Sequence, residues 1–136
     1  MAKTYQVAAI PIRRTADGAV EVLLVTSRET RRWVVPKGWP WRETADHDAA
    51  AGEAWEEAGI RGRPNPTSIG SYTYDKRRHD DVRTLKVMVY LLDVTEEAAR
   101  WPEYEQRQRA WFSPTAAAEL VAEPELKALL SGLKAL

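Results

Sequence analysis

Apolar positions along this chain fall into two rhythms. QVAAIPI (6–12) and VEVLLVTS (20–27) are β-branched and apolar runs separated by TADGA, whose Asp17-Gly18 pair marks a turn, so they predict a hairpin. WVVP (33–36) predicts a short strand stopped by Pro36. From Asp46 to Ala58 the chain has no proline, is rich in Ala and Glu, and ends at Gly59, a residue suited to the left-handed conformation that closes a helix. The prolines of RGRPNP predict a loop. SIGSYTY (68–74) and TLKVMVYLLDV (84–94) then predict two strands around the polar tip DKRRHDD, and RAWFS (109–113) a short extended segment. Pro114 opens PTAAAELVA, and PELKALLSGLKAL sets Leu126, Leu129, Leu130 and Leu133 at helical spacing. Strands outnumber helices and alternate with them, which predicts a mixed α/β class without internal repeats.

Composition narrows this picture. With 136 residues, 44% of them hydrophobic, the chain fits one globular domain over 1–136 that buries roughly two thirds of its unfolded surface. The absence of cysteine excludes disulfides and thiolate metal sites and fits a reducing, cytoplasmic setting. MAKTYQVAAIPIRR lacks a basic-then-apolar leader layout, and no apolar run approaches the ~18 residues a membrane span needs, so no membrane partner is expected. Twenty basic and twenty acidic residues cancel, which argues against a nucleic-acid polymer as partner. Their distribution is uneven: residues 1–42 hold eight Lys/Arg against three acids, residues 43–60 six acids and no Lys/Arg, and residues 61–88 seven bases against three acids. An acidic island between basic segments suits a site that holds a divalent cation and grips a polyanion.

GEAWEEAGI (52–60) is the core of that island. On a helix, Glu53, Glu56 and Glu57 fall within about a third of the circumference, while Ala50, Ala54 and Ala58 form a neighbouring stripe able to meet a sheet. A solvated charged face is the ordinary explanation of helical glutamates, and it predicts opposite charges one turn away. Here Glu53 and Glu57 are each other's i,i+4 neighbours, a like-charge pair costing roughly 0.2–0.5 kcal/mol, and only Arg61 stands one turn from Glu57. A hard cation, Mg²⁺ or Mn²⁺, would offset the repulsion.

Read together, PKGW and AAAGEAWEEAGI resemble the Nudix box, whose pattern is Gly, five residues, Glu, seven residues, Arg-Glu-apolar-X-Glu-Glu-X-Gly-apolar. The match runs through Gly38, Glu53, Ala54, Glu56, Glu57, Gly59 and Ile60. RRWVVPKGWP and WPEYEQRQRAWFSP further resemble the diphosphoinositol-polyphosphate phosphohydrolase branch, so that the likeness covers roughly residues 5–120. It implies a Nudix-fold α/β/α sandwich with a mixed sheet, and a metal-dependent diphosphate hydrolase acting on a phosphorylated small molecule such as an inositol pyrophosphate or a dinucleoside polyphosphate. It implies Glu53 and Glu57 as metal ligands, Glu56 as a further ligand or the base that activates water, and the Gly38 carbonyl as an additional ligand. A base outside the box would be Glu103 or Glu105. Lys37, Arg32, Arg13 and Arg78 are the bases expected to grip phosphate, against the alternative that they are solvated strand ends; His79 reads as a surface residue.

Two positions depart from the pattern. Thr44 stands where the box has its first Glu, and Gly52 where it has an Arg that, in the family, helps orient the metal-binding glutamates. Losing both partners of a pair costs less than leaving one charge unpaired, so the two departures are expected to be linked, with restoration of Arg at 52 alone bringing no gain. A chain altered in this way is expected either to hydrolyse its ligand or to hold it as a binding module. Trp33, Trp55 and Trp111 read as packing residues, and Trp39 and Trp41 as aromatics that could line a pocket or stack on a base.

Overall fold

In the computed structural model, which describes residues 4–136, the anticipated hairpin forms from β1 (Tyr5–Arg14) and β2 (Val20–Thr26), with Ile12 opposite Val22. Gly18 turns it at φ 86°, a conformation a side chain would disfavour. β1 is central: its other edge runs parallel to β7 (Asp81–Glu97), from Tyr5 opposite Lys86 to Ile12 opposite Asp93. A parallel pair with both faces covered needs apolar residues on both, which is why β1 reads as a continuous run and not an alternation. Val7 and Ala9 face one core, whereas Ala8, Ile10 and Ile12 face the other.

Strands β1 and β2 pair only through Ile12–Arg14, and residues 33–38 enter where they part. The two-residue β3 (Trp33–Val34) pairs with β2, β4 (Lys37–Gly38) pairs with β1, and the Ala9 N–H donates to the Pro36 carbonyl at 3.1 Å. The segment expected to end at Pro36 therefore continues as sheet, which anchors the backbone of Lys37 and Gly38.

The helix α1 (Asp46–Ala58) takes the expected bounds, and Gly59 closes it at φ 68°. Ala49, Ala50, Ala54 and Ala58 are wholly buried against Val7, Leu23, Val25 and Leu92. Small residues on this stripe let the helix lie close to the sheet and bring its next stripe, the glutamates, beside β4.

Two expectations are corrected. RGRPNP is not all loop: β5 (Ile60–Pro64) pairs with the end of β7, with a bulge between Arg61 and Gly62. Pro64 is tolerated because it ends an edge strand, and Gly62 because a Cβ there would lie 1.9 Å from the Asp93 carbonyl oxygen. The tip 75–81 is also paired. β6 (Gly70–Arg78) and β7 keep register to Arg78 opposite Asp81, leaving His79 and Asp80 as the turn. Its run of charged residues satisfies an exposed two-stranded ribbon as well as a loop.

After β8 (Arg109–Phe112), paired to β2, the Ser113 hydroxyl caps α2 (Pro114–Leu120), and α3 (Pro124–Gly132) follows. Ala117, Ala118, Leu126 and Leu130, with Leu133 beyond, cover the face opposite α1. The architecture is the expected α/β/α sandwich on a mixed sheet. Among the described residues no helix is long and apolar enough to cross a membrane.

Candidate active site

The site begins with backbone. β4 lies so close to α1 that a Cβ on Gly38 would sit 2.4 Å from the Glu53 Cδ and Oε2. Only glycine leaves room for that carboxylate. Next to it the Lys37 N–H donates to Glu57 Oε1 at 3.3 Å, so the two glutamates one turn apart are fitted to consecutive residues of β4. The segment after β7 closes the far side. Trp101 Nε1 donates to the Glu57 carbonyl at 2.9 Å, and the Glu103 N–H to the Glu56 carbonyl at 3.2 Å. Arg107, with a side chain only 8% exposed, donates to Glu103 Oε1 at 2.7 Å and to the Thr26 carbonyl at 3.0 Å and lies 3.5 Å from Glu57 Oε2.

Burial, reinforced by Glu53 and Glu103, pushes the Glu57 carboxyl up to about 7 against the opposing pull of Arg107 and the Lys37 N–H. Glu53 is raised as well, chiefly by burial with repulsion from Glu103 and Glu56, and is held back by the N–H of Trp41. The Lys37 ammonium is lowered to about 8 by its burial, with Glu57 opposing; its Nζ stands 4.1 Å from the centre of the Tyr74 ring. Both acids are thus held where their charge is costly, and a nearby cation would relieve both. Among the described residues no three acidic or imidazole side chains gather closely enough to hold a metal alone. Two carboxylates against a side-chain-free backbone nevertheless fit a hard divalent ion that keeps several waters, the habit of Mg²⁺.

Beside Glu57 opens a cleft of about 300 Å³, lined by Lys37, Arg32, Arg28, Arg107, Ser27 and Thr30 among others. Arg32 is tethered to Glu123 at 3.2 Å, and Arg28 to Gln106 at 3.3 Å. A smaller hollow of about 110 Å³ lies where Trp39 meets the β6–β7 ribbon, lined by Lys76, Arg78, Asp81 and Arg83. The structure therefore gathers Gly38, Glu53, Glu57, Lys37 and Arg32 in one region, with Glu56 close enough to raise Glu53.

Other expected residues stand elsewhere. Arg78 lines the second hollow. Arg13 pairs with Glu21 at 2.9 Å and Glu97 at 3.4 Å, lies over Trp111, and does not line the cleft. Glu105 is exposed and accepts from the Tyr104 hydroxyl at 3.0 Å, whereas Glu103 is the acid of that segment whose charge reaches Glu53 and Glu57. His79 sits in the ribbon turn at φ 54°. Arg61 stacks on Trp55 at 3.8 Å and faces Glu96, so the basic residue one turn from Glu57 does not pair with it.

Sequence reasoning missed Arg107. Its available signal was the spacing Glu103-x-x-x-Arg107 inside WPEYEQRQRAWFSP, a segment already quoted for its resemblance. The supposed link between positions 44 and 52 is also revised. The Thr44 hydroxyl donates to the Arg42 carbonyl at 3.0 Å, and a Cβ on Gly52 would fall 2.2 Å from Trp41 Cη2. Position 52 is occupied space, filled by the Trp41 indole, and not the vacated half of an ion pair.

Comparison with known proteins establishes the family. A profile of the NUDIX domain matches residues 3–131. The chain is 38% identical over 119 residues to Nudix hydrolase 16, mitochondrial, of Arabidopsis thaliana, covering 83% of this chain and 65% of that protein. It is 37% identical over 95 residues to diphosphoinositol polyphosphate phosphohydrolase 2 of Rattus norvegicus, covering 68% of this chain and 49% of that protein. The chain thus spans about half to two thirds of the length of these relatives. The structure of a C. elegans Ap4A hydrolase binary complex is similar in fold, with TM-score 0.68, 21% identity, and coverage of 98% of this chain and 96% of that one. A profile that runs through nearly every element, from the first strand to the last helix, settles the kinship that Gly38 and the α1 carboxylates suggested: the chain belongs to the Nudix family.

Proposed function

We propose that this chain is a metal-dependent hydrolase of a diphosphate linkage in a phosphorylated small molecule, of the inositol pyrophosphate or dinucleoside polyphosphate class. One observation carries the reading: two partly buried, charge-strained carboxylates, Glu53 and Glu57, are fixed against the backbone of Gly38 and Lys37, and Glu57 lines a cleft to which Arg28, Arg32, Lys37 and Arg107 contribute four cations. Relatives named as Nudix hydrolases and as a diphosphoinositol polyphosphate phosphohydrolase support the class of substrate.

Mg²⁺ or Mn²⁺ bound between these carboxylates would supply Lewis acidity toward the diphosphate and lower the pKa of a bound water. The protein's own residues do the rest. Arg32 and Lys37 bind the phosphate groups, and Arg107 fixes Glu103 by a charge-assisted hydrogen bond and holds Glu57 by an ion pair at 3.5 Å. A water oxygen adds to one phosphorus, the bond from that phosphorus to the bridging oxygen breaks, and the bridging oxygen leaves on the other phosphate. The water's proton passes to a carboxylate at the rim, for which Glu56 and Glu103 are placed better than Glu105. Burial of the ligating carboxylates favours this chemistry, because electrostatic stabilisation is stronger where water is excluded.

The test is product release from a panel: an inositol pyrophosphate, a long diadenosine polyphosphate, ADP-ribose and an oxidised nucleoside triphosphate, at saturating Mg²⁺ or Mn²⁺. Turnover that vanishes in Glu57→Gln is the expected result. Intact substrates with ligand still bound would overturn it in favour of a Nudix-fold binding module.

A further inference from the structure

The arginine missing from position 52 raises a specific question: what now orients Glu53? The loop from β4 to α1 runs through Trp39-Pro40-Trp41 and then reverses at Glu43, whose φ is 55°. This course lays the Trp41 indole across the helix at Gly52. A Cβ there would lie 2.2 Å from Cη2, 2.6 Å from Cζ2 and 2.7 Å from Cζ3, so the benzo edge rests where any side chain at 52 would begin. The opposite edge of the ring points its N–H at Glu53, and Nε1 to Oε2 is 2.9 Å. Glu53 is consequently held from two sides, by the bare backbone of Gly38 and by the indole donor. Nothing in packing alone calls for that placement, since Trp41 remains 40% exposed and belongs to neither hydrophobic core.

We propose that Trp41 and Gly52 together replace the box arginine, with the Trp41 N–H as the positioning donor for Glu53 and Gly52 as the space that admits it. The chemistry differs from arginine's in one respect. An indole N–H is directional but neutral, so it fixes the carboxylate without cancelling the charge that a cation needs. The two departures of the sequence from the box pattern are then unrelated to each other: Gly52 answers to Trp41, three residues before Thr44 along the chain. Any side chain at 52 and the Trp41 indole in this placement compete for the same space.

The inference rests on Glu53 being a metal ligand, and its test separates that premise from turnover. With indole nitrogens labelled, the chain's six tryptophans give side-chain N–H resonances, and Trp41→Phe identifies the one from Trp41. In the chelated protein that resonance is expected to move in Glu53→Gln and to stay in Glu56→Gln; no movement in Glu53→Gln overturns the hydrogen bond. Mn²⁺ affinity, read by calorimetry or electron paramagnetic resonance, is expected to weaken by about 10-fold or more in Trp41→Phe, the scale of lost outer-shell partners. Gly52→Ala should weaken it in the same direction by displacing the ring. The double variant Trp41→Ala with Gly52→Arg should recover affinity to within a few-fold of the original, whereas Gly52→Arg alone should not. Wild-type affinity in Trp41→Phe, or no recovery in the double variant, overturns the replacement. If Mn²⁺ affinity responds as expected while no diphosphate is cleaved, the positioning role stands and the hydrolase reading alone fails.

Discussion

Two charged segments that look equally polar in the sequence have opposite fates in the fold. GEAWEEAGI places Glu57 against the sheet with a side chain 12% exposed, its carboxyl pushed up to about 7. DKRRHDD becomes the end of a β-ribbon in which Arg77, Arg78, His79 and Asp80 are exposed and Arg78 faces Asp81 across the strands. Charge density was similar; burial was not. The glutamates were drawn inward by their neighbours, since the alanine stripe beside them sinks α1 onto the sheet and β4 receives the carboxylates. The ribbon has no such stripe at its tip, and its charges stay in water, where they cost and contribute little.

The sharpest way to test this contrast is to remove charge from the buried side. If Glu57 ligates the metal as proposed, Glu57→Gln should lower kcat beyond the about 100-fold typical of outer-shell changes. It should also abolish the rise in Tm on adding Mg²⁺, measured by calorimetry. Arg107→Met attacks the same centre from the other partner. A nearly buried guanidinium that serves Glu57 and Glu103 leaves both carboxylates without it, and removing one member of such a cluster costs about 3–5 kcal/mol. Urea unfolding in the presence of a chelator would measure this, and a loss under about 1 kcal/mol would show that the cluster is screened like a surface pair.

The same contrast explains which parts of the molecule were legible in the sequence. α1 and its glycine stop were readable because an alanine stripe, a carboxylate stripe and Gly59 all agree on one helix, and local signals that agree are seldom overridden. Glu53, Glu57 and Gly38 were readable as a motif with fixed spacing. β5 was not, because Pro64 and Gly62 signal a loop, and only pairing with a strand some thirty residues later shows that an edge position makes both harmless. Arg107 was missed as a site residue, and Trp41 was read as a pocket aromatic and not as a donor to Glu53, for a related reason. Each acts through a contact between segments distant in sequence, and nothing local distinguishes Arg107 from the solvated arginines around it. Arg13 shows the converse: it looked like a phosphate ligand because it is basic, and the fold gives it Glu21, Glu97 and Trp111 instead.

A pH series on chelated protein tests the buried half by its sign. Glu57 has a higher pKa folded, about 7, than unfolded, near its ordinary 4.5. Between those values the folded state binds more protons, so stability is fully present below about pH 4.5 and is lost as pH rises through 7. Glu53 is shifted in the same direction. The loss should amount to about 2–3 kcal/mol between pH 5 and 8, read from urea midpoints. Lys37, lowered to about 8, adds an opposite slope only above that pH. Mg²⁺ should flatten the curve, since it displaces the protons from the same carboxylates. A stability that instead rises steadily from pH 5 to 8 would mean that the carboxylates are not strained.

The exposed ribbon yields the smallest expected effect and the most selective one. Arg78→Ala removes a solvated charge, so its effect on folding should stay within about 0.5 kcal/mol. Arg78 also lines the second hollow with Lys76, Arg83 and Trp39, and Trp39 stands two residues along the chain from Lys37, which lines the main cleft. A substrate long enough to span both would feel the loss and a short one would not. KM for a long diadenosine polyphosphate or an inositol pyrophosphate should therefore rise several-fold in Arg78→Ala while kcat is unchanged, the signature of lost uniform binding, and ADP-ribose should be indifferent. Arg13→Ala, held to carboxylates outside the cleft, serves as the matched control and should leave KM unchanged for every substrate. If the two variants behave alike, the ribbon is solvated charge and nothing more, and the contrast between the two segments is complete. If Arg78→Ala alone raises KM, exposed charge contributes to selectivity through reach, while buried charge carries the chemistry.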